Sequence, residues 1–181
     1  MIKLIAIVGK SGSGKDTVLR KCLSLRPDLN KVIAYTTRPM RENETEGVDY
    51  KFVTPMEFLN KLNNKKIVEY SIKKDWYYGT DRTCYDEHKV NIGVFDVSRL
   101  PYLLANEDFE VTVVMIHASD KTRIIRQLNR ENEPDVDEIL RRYENDKKDF
   151  RLIEFTPDLV VDNDYYVDIE TSAHKILDEI D

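Results

Sequence analysis

The stretch GKSGSGKDT, residues 9–17, follows the apolar run LIAIV at residues 4–8 and holds three of the chain's six glycines. A buried strand, a loop of the form G-x-x-x-x-G-K and the start of a helical pattern make a phosphate site. Backbone N–H groups converge there on phosphate oxygens, with the positive end of the helix dipole behind them. Gly9, Gly12 and Gly14 permit the tight path, while Lys10, Ser11 and Ser13 fill the places between them. Lys15 supplies a mobile charge for the β- and γ-phosphates of a nucleotide such as ATP. The strict motif continues with Ser or Thr, but here Asp16 takes that place and Thr17 follows. A carboxylate in the first turn of a helix suits the helix dipole and repels a triphosphate. A magnesium ion between them reconciles the two, so Asp16 is a candidate metal ligand, directly or through water, and Thr17 a candidate phosphate contact. A glycine-rich turn without a ligand is the bland alternative, and a chain this poor in glycine has little reason to place three of them so close together.

Outward from this loop, apolar or β-branched runs at Leu4–Val8, Val32–Thr36, Val90–Val97, Val111–His117 and Leu159–Val161 alternate with helically spaced segments. That alternation predicts an α/β fold, a parallel sheet covered by helices. A helix is expected from Asp135, where Asp135 and Glu138 form an acidic variant of the capping box. Its expected buried stripe is Val136, Ile139, Leu140, Tyr143 and Phe150. Two stretches break the rhythm, about 35–85 and about 129–138, and read as insertions over one end of the sheet. The expectation is one domain with its core at 1–34, 86–128 and 139–181.

At 181 residues and a formal net charge of -6, with both signs interspersed, the chain has no basic face for nucleic acid and no polybasic membrane tail. Cys22 and Cys84 lie far apart without zinc-ligand spacing, which points to a reducing cytoplasm. Five apolar residues before a glycine loop are too few for a signal-peptide core or a membrane span. His88, His117 and His174 fall outside every motif.

Residues 35–52 read YTTRPMRENETEGVDYKF. Arg38 and Arg41 flank a rigid proline and Tyr50 follows the turn at Gly47. Guanidinium forks with a tyrosine hydroxyl suit a second anion site, distinct from the loop. Here the sequence resembles the guanylate kinase family, whose T-T-R-x-P-R, G-x-D-Y-x-F and Y-Y-G-[ST] signatures have counterparts in Thr36–Arg41, Gly47–Phe52 and Tyr77–Thr80, in the same order. The likeness runs from Gly9 to VVDND at 160–164.

The resemblance implies a P-loop kinase core, a monophosphate-binding insertion and a lid, with ATP as donor, a nucleoside monophosphate such as GMP as acceptor, and magnesium. It implies that Arg38, Arg41, Tyr50 and Tyr78 hold the acceptor phosphate, that Glu69 and Thr80 face the base, and that Gly79 belongs to the same GMP-binding set. A carboxylate at Glu69 can accept from N1–H and the 2-amino group of guanine, whereas adenine has no donor at N1. It places the lid arginines at Arg130 and Arg142, with Arg126 and Arg141 as rivals, and a water-mediated metal acid at Asp96. Trp76 and Tyr77 are expected to pack the insertion.

Two departures bear on the base: Ala34 and Ser98 stand where the family has a serine and a second acid. A site with fewer groups on the base should discriminate less. Two rival readings stay open, a kinase with another acceptor, such as a phosphorylated sugar, and a binding module that has lost catalysis.

Overall fold

The computed structural model describes residues 1–42, 44–130 and 133–180. In chain order, β1 (Ile2–Val8) leads through the glycine loop into α1 (Lys15–Leu25) and on to β2 (Asn30–Lys31), β3 (Tyr35–Thr36) and β4 (Lys51–Phe52). Helix α2 (Pro55–Asn63) precedes β5 (Ile67–Lys73), β6 (Trp76–Asp81), β7 (Asn91–Val94) and the short α3 (Leu100–Leu104). The chain ends with β8 (Phe109–His117), α4 (Asp120–Leu128), α5 (Val136–Leu152), β9 (Leu159–Asp162) and α6 (Ile169–Leu177).

The main sheet has the order β2-β7-β1-β8-β9 with every pairing parallel. Strand β1 is apolar at nearly every position because both its faces are covered. Ile5 and Ile7 meet Val18, Leu19 and Cys22 of α1 and Ala173 and Ile176 of α6, while Leu4, Ala6 and Val8 face Val97, Leu100 and Leu103. The glycine loop leaves β1 at the centre of the sheet, where the carboxyl ends of the strands open a crevice. Among the described residues no helix is long and apolar enough to cross a membrane.

Several expectations need correction. Val32–Thr36 is not one strand. The Val32 N–H donates to the Ile92 carbonyl at 2.9 Å, extending β2 in the main sheet, and the chain then crosses at Ile33–Ala34 to build β3 in a second sheet of order β4-β3-β6-β5. This second sheet shares one apolar cluster with the core, through Tyr35, Phe58, Tyr77 and Tyr85 beside Leu4, Val8 and Leu100.

Helix α5 does start on Asp135, whose side chain accepts the Glu138 N–H. Glu138 instead turns its carboxylate to Arg141, Arg142 and Lys74. Of the expected stripe, Ile139 is buried and Phe150 packs on the core cluster, but Val136 and Leu140 are half exposed. Tyr77 stacks on Phe58 at 5.1 Å, and Trp76 lies under Lys74.

Candidate active site

The loop after β1 holds its shape by contacts from the far end of the chain. Gly12, at φ +80°, has the Arg123 carbonyl 2.5 Å from where a Cβ would stand, and Gly14, at φ +93°, has the Asn163 amide at 2.4 Å. A side chain at either position would be strained by backbone and by contact alike. Asn163 also donates to the Ser13 carbonyl at 2.8 Å. Lys15 folds back so that its ammonium donates to the Lys10 carbonyl at 3.2 Å. Burial lowers its pKa, while Asp16, Asp146 and Asp96 pull the other way. Asp16 and Thr17 stand exposed on the first turn of α1.

A cavity of about 490 Å³ opens between this loop and the second sheet. Gly9, Ser11 and Lys15 form one wall; Arg38, Arg41, Tyr50 and Tyr78 form another; α5 contributes Arg141 and Arg142. Lys10 and Ser13 face instead a second cavity of about 670 Å³ behind the loop. Arg38 is buried and forked on Glu44, with Nη1–Oε2 at 2.6 Å, and lies over the Tyr50 ring at 5.0 Å. Arg41 is exposed. Pro39 and the Glu44 clamp thus set one arginine rigidly and leave its neighbour at the mouth.

Behind these residues the buried Glu69 of β5 accepts from the Thr80 hydroxyl of β6 at 2.7 Å, an arrangement set by their antiparallel pairing. Gly79 pairs with both Tyr35 and Tyr70, and a Cβ there would meet the Glu69 carbonyl at 2.5 Å. Burial pushes the Glu69 carboxyl up to about 7, against the pull of Arg99 and Thr80.

Other expected residues lie differently. Asp96 lines the cavity at the end of β7, but Lys73 forms an ion pair with it and the Ser98 N–H donates to it at 3.0 Å. Burial raises the Asp96 pKa and these partners outweigh it, holding the carboxyl below its ordinary value. Ser98 spends its hydroxyl on Asp96 as well. Arg130 is exposed beyond the end of α4 and is not part of the cavity wall; residues 131 and 132 of the expected lid lie outside the described residues. Arg126 reaches the Ser13 carbonyl at 3.3 Å and covers the Tyr165 ring at 5.5 Å, away from this cavity. Ala34 is buried at the crossing between the sheets.

The sequence reading missed three residues that shape this site. Asp146 accepts the Ser11 N–H at 2.7 Å, and Arg123, wholly buried, bridges the Ser11 carbonyl at 2.9 Å to Asp146 at 2.8 Å. Arg99 pairs with Glu69 at 3.3 Å. Asp146 falls four residues after Arg142, a spacing that puts both on one helix face; Arg123 and Arg99 had no local signal.

One wall of the enclosure carries the loop lysine and the other carries two arginines and two tyrosines, donors that suit anions, while Glu69 and Thr80 lie behind that wall and do not line the cavity. A family model described as guanylate kinase matches residues 1–180. Similar curated proteins include a guanylate kinase of Syntrophotalea carbinolica, 28% identical over 97% of this chain and 85% of its own length. A guanylate kinase of Thermotoga maritima is 31% identical over 80% of this chain and 72% of its own. Among solved structures, a guanylate kinase from Anaplasma phagocytophilum aligns with a TM-score of 0.69 at 26% identity, covering 99% of this chain and 85% of that one.

Proposed function

The chain belongs to the guanylate kinase family, and from that premise we propose that it transfers the γ-phosphoryl group of ATP reversibly to GMP, giving ADP and GDP. It is an ATP-dependent nucleoside monophosphate kinase. The observation that supports GMP as acceptor is the single cavity with Lys15 on one wall, Arg38, Arg41, Tyr50 and Tyr78 on another, and the Glu69–Thr80 pair behind them.

Two polyanions repel each other, so the site must cancel charge before their oxygens align. Residues Gly9 to Thr17 cradle the donor phosphates, Lys15 neutralises them, and Arg38 and Arg41 with the two tyrosine hydroxyls fix the acceptor phosphate. An acceptor oxygen then attacks the γ-phosphorus as the bond to ADP breaks, with Arg142 on the cavity wall answering the charge on the transferring group. No side chain becomes a nucleophile; positioning and electrostatics carry the reaction.

The carboxylates around Lys15 are hard oxygen donors of the kind magnesium takes. Among the described residues no three acidic, His or Cys side chains cluster tightly enough to cage a metal alone, which suits an ion shared with the triphosphate and water. Asp16 would hold it from the helix start, and Asp96 once Lys73 yields. Held there, magnesium would supply charge neutralisation at the donor phosphates. We place the enzyme in the cytoplasm, where its two free, buried thiols would stay reduced.

A coupled assay with ATP against GMP, dGMP, AMP, UMP and CMP tests the reading. GMP should give the highest kcat/KM, and preference for AMP, UMP or CMP overturns it.

A further inference from the structure

Arg99 follows Asp96 in the turn after β7 and is only 5% exposed. A buried guanidinium needs partners, and this one is incompletely supplied. Its Nη1 donates to Glu69 Oε1 at 3.3 Å and its plane lies 5.1 Å from the Phe95 ring centre, but its Nε–H has no partner among the described residues. Glu69 is equally lopsided. Oε1 takes both the Arg99 and the Thr80 donors, and Thr80 is itself held at 2.7 Å by Tyr85, while Oε2 is buried with no partner among the described residues. Unpaired buried atoms of a charged donor and a charged acceptor are costly, and on two residues that already pair through their other atoms they call for a ligand. Arg99 lines the cavity that holds the acceptor-side residues Tyr50 and Tyr78.

An unpartnered donor on Arg99 and an unpartnered acceptor on its partner Glu69 complement an edge that presents acceptor beside donor. Guanine has this order, with the 6-oxo group next to N1–H, and adenine reverses it, with a 6-amino donor next to a bare N1. Building on GMP as the acceptor, we propose that Arg99 is a specificity-determining residue whose Nε–H donates to the 6-oxo group of the acceptor base, while Glu69 Oε2 accepts its N1–H. Adenine would then set donor against donor and lone pair against carboxylate. This second reader compensates for the hydroxyl that Ala34 lacks and the carboxylate that Ser98 lacks, so discrimination against AMP does not rest on Glu69 alone.

The test compares GMP with 6-thio-GMP, which keeps N1–H and the 2-amino group but puts a weak sulfur acceptor in place of the 6-oxo oxygen. Wild type should favour GMP by about tenfold or more in kcat/KM, the range of one charge-assisted hydrogen bond. In Arg99→Met the constant for GMP should fall and the ratio collapse toward one. A structural role alone would lower both substrates by the same factor, and that unchanged ratio overturns the proposal. Arg99→Lys keeps the charge beside Glu69 and withdraws the planar Nε–H, so it serves if the methionine variant does not fold. It too should lose the ratio, and a lysine variant with the wild-type ratio overturns the proposal. A wild-type protein inactive on GMP defeats the proposed function itself, whereas an active one with the ratio unchanged defeats only the role of Arg99.

Discussion

Glu69 is the residue whose protonation should govern acceptor use. Its carboxyl, raised by burial to about 7, must be ionised to accept N1–H from a base. The charged form is therefore lost as pH falls through 7, and kcat/KM for GMP, which reports groups of the free enzyme, should drop about tenfold per pH unit below it. GMP's own phosphate also titrates near pH 6, as phosphate esters do. The wild-type profile is thus divided by that of Glu69→Gln, which cancels the substrate. A flat quotient between pH 5.5 and 7 would contradict the role given to Glu69. Asp16 poses a different question at the same scale. It is exposed on the first turn of α1, where its charge favours the helix by about 0.3–1 kcal/mol, too little to explain a carboxylate beside a triphosphate. As a magnesium ligand it should make Asp16→Asn raise the magnesium concentration for half-maximal activity by about tenfold, with thermal stability nearly unchanged. Unaltered magnesium dependence would leave it a helix-start residue only.

Helix α5 shows how one element can serve the cavity while disappointing a pattern search. Glu138, Arg142, Asp146 and Phe150 are spaced by four and all line the cavity, because residues four apart share a helix face. The apolar positions Val136 and Leu140 lie off this face and stay half exposed, so the stripe expected from hydrophobicity holds at Ile139 and Phe150 but not at these two. Arg142 belongs to the cavity-facing row and its side chain is less exposed than that of Arg141, at 30% against 42%. Arg142→Ala should therefore reduce kcat on the order of 10²-fold, as loss of a charge-stabilising donor does, and Arg141→Ala far less. Steady-state kinetics with saturating ATP and GMP decides between them. What the sequence made legible was local: strand, glycines and helix are contiguous at residues 4–17, and Asp135 announces the start of α5 within one turn. The split of Val32–Thr36 was not legible, because β-propensity says that residues pair and not with which sheet. Nor was Arg99, whose contact with Glu69 spans 30 residues and exists only once both sheets are in place.

At the scale of the whole molecule, the two proposed anion sites belong to different sheets. The donor loop hangs from the parallel sheet, whereas Arg38, Arg41 and Tyr50 belong to the segment that crosses at Ile33–Ala34 into the second sheet. Both sheets rest on one apolar cluster, so each site has a fixed frame, yet their ligand-facing residues do not overlap. Damage to one should then fall chiefly on its own ligand, since different residues build the two walls of the cavity. Arg41 offers the cleaner probe. Arg38 is buried in its Glu44 clamp and under aromatic rings, so removing it would disturb packing as well as charge. Arg41 is exposed at the cavity mouth and carries charge with little structural duty. Arg41→Ala should weaken GMP binding by about 1.5–3 kcal/mol, one charge-assisted hydrogen bond, and leave ATP affinity unchanged in calorimetric titrations. Thermal melting gives an independent reading, because a ligand at 100 times its Kd stabilises the fold by about 2.7 kcal/mol. At the GMP concentration that achieves this in wild type, the variant should gain much less, while ATP still confers its full shift. Equal losses for the two nucleotides would mean that Arg41 acts on the shared frame, and would remove it from the acceptor site.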